Sequence, residues 1–305
     1  MNAATRLQHT VLELIKLTTN YLAGKGVSSP RLDAEVMLAH VLHLDRVGLY
    51  VNFERPLVPG EVAAYREMVA RRGRREPLAY IIGEKEFMGK NFRVTPDVLI
   101  PRPETELLIE AVVKELDGGD GDGAGPGPGD EPERLRILDL GTGSGVIAVM
   151  LALLVPRARV AAVDISGEAL AVARSNAVRH EVEDRITFLA GDLYEPLPPG
   201  EMFEVIVSNP PYIAVPEYST LSLEVRREPQ AALLAGEDGL AVIRQVIAGA
   251  PARLADDGLL AIEIGAAQGE AVRRLAQQYG FTSVIIGKDY AGFDRYALMR
   301  RRDSR

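Results

Sequence analysis

The chain has 305 residues, 47% of them hydrophobic, and a formal net charge of −8, enough material for two domains with buried cores. It contains no cysteine, which excludes disulfides, thiolate zinc sites and a cysteine nucleophile, and its four histidines (His9, His40, His43, His180) lie outside the motifs below, so metal and histidine-base chemistry are not expected. The acidic balance argues against broad phosphate-driven nucleic-acid binding. No apolar run is long enough for a membrane span, and the first residues lack a signal-peptide layout, so a cytoplasmic protein is expected.

Residues 5–24 carry apolar positions at Leu7, Val11, Leu14, Ile15, Leu17, Tyr21 and Leu22. This is a helical stripe that Gly24 and Gly26 are suited to end. A second helix is predicted from Ser28-Ser29-Pro30 to about His43, with a serine cap, a first-turn proline, and Asp33 and Glu35 near its N-terminus. A third runs from Glu61 to about Gly73 and ends in Arg71, Arg72, Arg74 and Arg75. That run reads as a solvated helix end complementing the macrodipole, with a contact surface for an acidic partner as the alternative. Residues 1–79 are therefore expected to form a small helical N-terminal domain without a catalytic motif of its own.

Across residues 80–98 the pattern changes, and the alternation over Glu86–Val94 predicts a hairpin bridging two domains. The domain from residue 99 to 305 opens on Leu99-Ile100-Pro101-Arg102-Pro103-Glu104-Thr105-Glu106, a proline-stiffened entry to a helix. Taken alone, this is a well-capped helix. The Gly/Pro/acid tract of residues 117–133 has no apolar periodicity and reads as a disordered surface insertion.

Leu135–Leu140 is predicted as a strand, Gly141-Thr142-Gly143-Ser144-Gly145 as a glycine loop, and Val146–Leu154 as a helix ended by Pro156. A strand at Val160–Val163 then delivers Asp164, 19 residues after Gly145. This is the layout of a nucleotide site, in which glycines permit close backbone approach and the acid accepts from ribose hydroxyls. The loop is similar to the first motif of class I S-adenosylmethionine methyltransferases, which implies that its glycines admit the methionine part of S-adenosyl-L-methionine. A further strand at Ile186–Leu189 leads to Gly191-Asp192-Leu193, and that resemblance implies that Asp192 and Leu193 flank the adenine.

The run Phe203–Val207 is a buried strand leading into Ser208-Asn209-Pro210-Pro211-Tyr212. Its prolines hold the loop rigid and extended. Such a corner can aim the Asn209 side-chain oxygen and the Pro210 carbonyl oxygen at one planar group with two N–H donors, while Tyr212 lies over it. The matching substrate is a carboxamide or the exocyclic amine of a nucleobase. Helices at Leu240–Leu254 and Gln268–Tyr279, and strands at Gly258–Ile264, Phe281–Ile286 and Tyr296–Arg300, complete an α/β, Rossmann-like sheet of seven strands ending in an antiparallel pair. In a parallel sheet the strand ends share one rim, so Gly141 to Gly145, Asp164, Asp192, Leu193 and Asn209 are expected to converge.

Residues 99–106, Asp139–Gly145 and Asn209-Pro210-Pro211-Tyr212-Ile213, in this order behind a helical domain, resemble the HemK/PrmC family of N5-glutamine methyltransferases. The likeness extends over Glu228–Leu233, Asp238-Gly239-Leu240 and Asp289–Arg295. Two departures are visible: Ala235-Gly236 stands where the family usually has two glycines, and the 117–133 tract is longer than usual. The resemblance implies methylation of the glutamine in the Gly-Gly-Gln motif of class I peptide chain release factors. It implies Asn209, Pro210 and Tyr212 as catalytic residues, with Pro211 beside them at the substrate. Gly141, Thr142, Gly143, Ser144, Gly145, Asp164, Asp192, Leu193 and Asn209 would hold the cofactor. A monomer with no metal and no nucleic-acid or membrane partner is expected. Two rival readings remain: an adenine-N6 methyltransferase acting on DNA or RNA, because an aryl amine suits Asn-Pro-Pro-Tyr equally well, and a cofactor-binding adaptor that no longer catalyses.

Overall fold

The computed structural model describes residues 9–117 and 135–301, so most of the Gly/Pro/acid tract lies outside the described residues. The chain divides into two compact units, one of residues 1–84 together with Ser222–Arg227, the other of residues 85–221 and 228–305. Among the described residues no helix is long and apolar enough to cross a membrane.

The first unit is helical: α1 (Val11–Gly24), α2 (Pro30–Leu42), α3 (Arg46–Val51), α4 (Pro59–Gly73) and α5 (Leu78–Ile82). The Thr10 side chain caps α1 and Glu13 reaches back to the Thr10 N–H, a reciprocal capping box. Helix α2 has the expected Pro30 in its first turn, but Ser29 makes no side-chain cap bond. The short helices α3 and α5 had no clear sequence signal, because six and five residues are too few to show a helical period. Val11, Leu14, Ile15, Leu22, Met37, Leu38, Leu49 and Tyr65 form the core.

The arginine run corrects its sequence reading. Arg72 is buried and its guanidinium meets Asp33 at 2.7 Å and Glu224 at 2.9 Å. Arg75 also binds Glu224, with both contacts at 2.7 Å, and Arg71 pairs with Glu76. The run is thus an internal ion-pair network, and only Arg74 is exposed. Burial pushes the Glu224 carboxyl upward, but hydrogen bonds from Arg75 and Arg72 outweigh it and hold it at about 2.

The second unit begins at Lys85, inside the hairpin of β1 (Glu84–Phe87) and β2 (Lys90–Arg93). Its two turn residues, Met88 and Gly89, both have positive φ (47° and 71°), as a tight twisted hairpin requires. Phe87 and Phe92 pack edge to face and are buried in this unit's core. After α6 (Pro103–Asp117) come β3 (Leu135–Leu140), α7 (Val146–Leu154), β4 (Ala158–Asp164), α8 (Gly167–Arg179), β5 (Ile186–Ala190) and β6 (Phe203–Ser208). Then follow α9 (Ala241–Gly249), β7 (Leu254–Glu263), α10 (Gly269–Gln278), β8 (Ser283–Lys288) and β9 (Asp294–Arg300). Helix α9 is shorter than its periodicity suggests, because Leu254 already belongs to β7 and pairs with Phe203.

The seven strands lie in the order β5-β4-β3-β6-β7-β9-β8. β5, β4, β3, β6 and β7 pair in parallel, while β9 is antiparallel to both β7 and β8. Helices α6, α7 and α8 pack on one face and α9 and α10 on the other. Covered on both sides, the central strands are near-continuous apolar runs, as parallel sheets require. The order reverses between β3 and β6, which opens a crevice at their carboxyl ends.

Candidate active site

The glycine loop leaves β3 at that crevice. The N–H groups of Gly141 and Thr142 both donate to the Val163 carbonyl at 2.8 and 3.0 Å, and Asn176 of α8 donates to the Ser144 carbonyl at 2.8 Å. Gly141 and Gly145 have positive φ (71° and 82°) for different reasons. A Cβ on Gly145 would fall 2.9 Å from that of Ala173, so this glycine lets α8 pack closely, whereas a Cβ on Gly141 would meet only open space. Gly141, Thr142, Ser144, Thr105, Arg102 and Asn209 line one cavity, with Leu99 and Pro101 on its wall. A second cavity, toward the amino ends of β3, β4 and β6, is lined by Arg136, Arg159, Arg185 and Phe203 and holds none of the motif residues.

Three acids stand on this rim in different states. Asp139 is fully buried; its Oδ2 accepts from the Thr142 hydroxyl at 2.7 Å, while its Oδ1 has no hydrogen-bond partner. Burial pushes its carboxyl up to about 7, with the Thr142 hydroxyl and the Ala148 backbone N–H pulling the other way. A buried, unpartnered carboxylate oxygen suits a cationic donor such as an amino-acid ammonium. Asp164 already accepts from the Gly143 N–H at 2.8 Å and the Ser166 N–H at 2.9 Å. Each oxygen keeps a second lone pair, so the acid both shapes the loop and can accept from hydroxyls. Asp192 is exposed beyond edge strand β5, and Leu193 beside it has φ 46°. They stay tied to the rim through the Gly191 N–H, which donates to the Asp164 carbonyl at 3.1 Å.

The proline corner is braced from several sides. The Ser208 hydroxyl donates to the Leu140 carbonyl at 2.7 Å, pinning the end of β6 to that of β3. Gln268 donates to the Tyr212 carbonyl at 3.0 Å, and Ile213 exchanges backbone hydrogen bonds with Leu233 and Ala235. Asn209 donates from Nδ2 to Thr105 Oγ1 at 3.1 Å, Thr105 donates to Glu263 Oε2 at 2.6 Å, and the Tyr212 hydroxyl donates to Glu263 Oε1 at 3.3 Å. Asn209 Oδ1 and the Pro210 carbonyl accept no hydrogen bond among the described residues. Both acceptors named by the sequence are therefore available, one of them on the cavity that holds Gly141.

The sequence reading gave several residues of this site no role of their own. Thr105 looked like part of an ordinary helix start and Glu263 like the end of a strand. Glu263 is fully buried, which pushes its carboxyl up to about 7 against the hydrogen bonds from Thr105 and Tyr212. Burial raises the Tyr212 phenol as well. Glu228 is buried, accepts from the Ile100 N–H at 3.0 Å and pairs with Arg102, and so clamps the wall formed by residues 99–102. A buried acid pairing partners more than a hundred residues away leaves no local pattern.

Sheet order, glycine loop and rim together define the fold of the class I S-adenosylmethionine methyltransferases. Residues 13–83 match the PrmC N-terminal domain and residues 130–224 the methyltransferase small domain. Among solved structures, the hMettl16 catalytic domain with an RNA hairpin shares the fold at 14% identity, with TM-score 0.55 over 94% of this chain and 92% of that one. A 16S rRNA methyltransferase of Thermus thermophilus with AdoMet and guanosine does so at 19% identity, with TM-score 0.50 over 72% of this chain and 50% of that one. Sequence relatives lie far nearer. The Geobacter sulfurreducens release factor glutamine methyltransferase is 44% identical over 94% of this chain and 95% of its own length. Its namesake from Bordetella pertussis is 44% identical over 92% and 97%. The chain belongs to the release factor glutamine methyltransferase family.

Proposed function

We propose that the protein methylates the N5 side-chain nitrogen of the glutamine in the Gly-Gly-Gln motif of class I peptide chain release factors, with S-adenosyl-L-methionine as donor. The observation that carries this reading is the pair of unengaged acceptors, Asn209 Oδ1 and the Pro210 carbonyl, at the carboxyl end of β6 beside the glycine loop. A primary carboxamide has two N–H donors in one plane, and these acceptors take both. The names of the close relatives favour glutamine over the adenine that the same corner could hold.

The residues present fit the cofactor. Open space above Gly141 would admit its methionine moiety, Asp139 Oδ1 would receive the ammonium and Asp164 would accept from the ribose, while Asp192 and Leu193, beyond edge strand β5, would border the adenine. Bound there, S-adenosylmethionine supplies a methyl group activated by the positive sulfur. Accepting both N–H bonds orients the glutamine nitrogen and favours localisation of its lone pair. Tyr212, with Pro211 beside it, covers the amide plane. A methyl group passed to that nitrogen would leave it cationic and strongly acidic, so the surplus proton, held at the Asn209 and Pro210 oxygens, would pass to water without a strong base. Most of the acceleration then comes from positioning, which can contribute roughly 7–11 kcal/mol.

The test is mass spectrometry of a release factor incubated with the enzyme and isotopically labelled cofactor. Label on the Gly-Gly-Gln glutamine is the expected result; label elsewhere, or on an added oligonucleotide, refutes the assignment.

A further inference from the structure

Asn209 can serve as an acceptor only if its oxygen, and not its NH2, faces the cavity. A side-chain amide fits the same space in two orientations related by a half-turn, so something must decide between them. That decision lies outside the Asn-Pro-Pro-Tyr motif. We propose that Thr105 and Glu263 are positioning residues for methyl transfer, a directed hydrogen-bond chain that holds the Asn209 amide with its oxygen toward the substrate. The inference rests on the reading of Asn209 as the substrate's acceptor.

The argument follows from counting donors. An ionised carboxylate accepts only, and Glu263 is buried with one oxygen at 2.6 Å from Thr105 Oγ1 and the other at 3.3 Å from the Tyr212 hydroxyl. The single hydroxyl proton of Thr105 is therefore committed to Glu263. What Thr105 offers Asn209, 3.1 Å away, is a lone pair, which only the NH2 end of the amide can use. The same carboxylate commits the Tyr212 hydroxyl and so fixes the ring over the amide. A glutamine at 263 can accept from one of these hydroxyls but must donate to the other, which reverses one arm of the chain.

Burial, which pushes Glu263 up to about 7, makes the device sensitive to pH. Around it stand Thr105 and Glu104 on α6, Tyr212 after β6 and Arg295 on β9, with Glu104 raising and Arg295 lowering its proton affinity. Turnover should rise with pH as Glu263 ionises, because a protonated carboxyl no longer obliges Thr105 to donate.

The experiment measures kcat, KM for release factor, binding of S-adenosylhomocysteine and melting temperature for wild type, Thr105→Val, Thr105→Ser, Glu263→Gln, Asn209→Ala and Asn209→Ala/Thr105→Val. Thr105→Val should lower kcat about 10- to 100-fold, as loss of one preorganised polar contact does, with binding of S-adenosylhomocysteine kept. Thr105→Ser should restore the rate to within about 3-fold. Glu263→Gln should lose about 10-fold and flatten the pH limb near neutrality. In the Asn209→Ala background Thr105→Val should cost nothing further, since no amide remains to be oriented. Full turnover in both Thr105→Val and Glu263→Gln, or a loss that multiplies with Asn209→Ala, overturns the proposal. So does a Thr105→Ser variant as slow as Thr105→Val. If Thr105→Val does not fold, the serine variant and Glu263→Gln decide by the same criteria. Wild type that labels no glutamine overturns the reading of the function along with this inference, whereas wild-type labelling with unaffected variants overturns this inference alone.

Discussion

Gly239 sits against the main chain of Tyr212: a Cβ at position 239 would lie 2.5 Å from the Tyr212 carbonyl oxygen, and the glycine has φ 70°. The same carbonyl accepts from Gln268, which also donates to the Gly239 carbonyl at 3.1 Å. The segment around 239 is therefore a backbone buttress for the corner that carries Asn209. Gly239→Ala should cost about 1–3 kcal/mol in stability through strain and clash. A shift of the corner by even 1 Å should slow methyl transfer about 100-fold. Denaturant melts and steady-state assays check the two effects; an alanine variant with wild-type turnover would show that the corner does not need this support.

On the proposed role of Asn209, Asn209→Ala removes an acceptor that is realised fully only when the reacting amide is aligned. The expected loss is on the order of 100-fold in kcat, by analogy with deleting one preorganised polar group. Cofactor affinity, measured by calorimetry with S-adenosylhomocysteine, should change far less. Unchanged turnover refutes the assigned role.

Asp139 is predicted to trade stability for ligand binding. Its carboxyl, raised by burial from 3.8 to about 7, keeps its proton in the folded chain at pH values where the unfolded chain has released it. Its contribution to stability is therefore fully present below about pH 4 and falls as pH rises toward 7. Above that range a neutral isostere avoids the cost. Asp139→Asn should raise the melting temperature of the ligand-free protein at pH 8, while S-adenosylhomocysteine, which carries an ammonium, should bind about 10- to 100-fold more weakly, as expected on losing a charge-assisted bond. Thermal melts and calorimetry read the two effects, and equal affinity in the variant contradicts the pairing with Asp139.

The buried arginine network of the helical unit should behave in the opposite sense with pH. Glu224, held at about 2 against a usual 4.5, contributes stability above about pH 4.5 that is lost as pH falls toward 2. Arg72→Ala leaves Asp33 buried without its 2.7 Å partner and should destabilise this unit by about 3–5 kcal/mol. Arg74→Ala, at an exposed position, should stay within about 0.5 kcal/mol. Equal melting curves for the two variants would contradict the network reading.

The distribution of what could be read in advance has a physical basis. Strands β3 and β6, the glycine loop and the Asn-Pro-Pro-Tyr corner were legible because each rests on contiguous residues: an apolar run, positive-φ glycines, a proline that removes an N–H. The seven-stranded α/β sheet and the convergence of Gly141 with Asn209 followed from the rule that parallel strands end on one rim. The fate of Arg71 to Arg75 was not legible, because Glu224 lies 149 residues from Arg75 and no local pattern signals that it shares their unit. Nor was the role of Thr105 and Glu263, separated by 158 residues, since a threonine in a first helical turn and a glutamate at a strand end are ordinary residues by themselves. Contiguous motifs, and the family they resemble, thus pointed to the class of chemistry and to the loop proposed to carry it. Only the folded sheet, by bringing α6, β6 and β7 to one point and excluding water there, decided which distant side chains aim that loop.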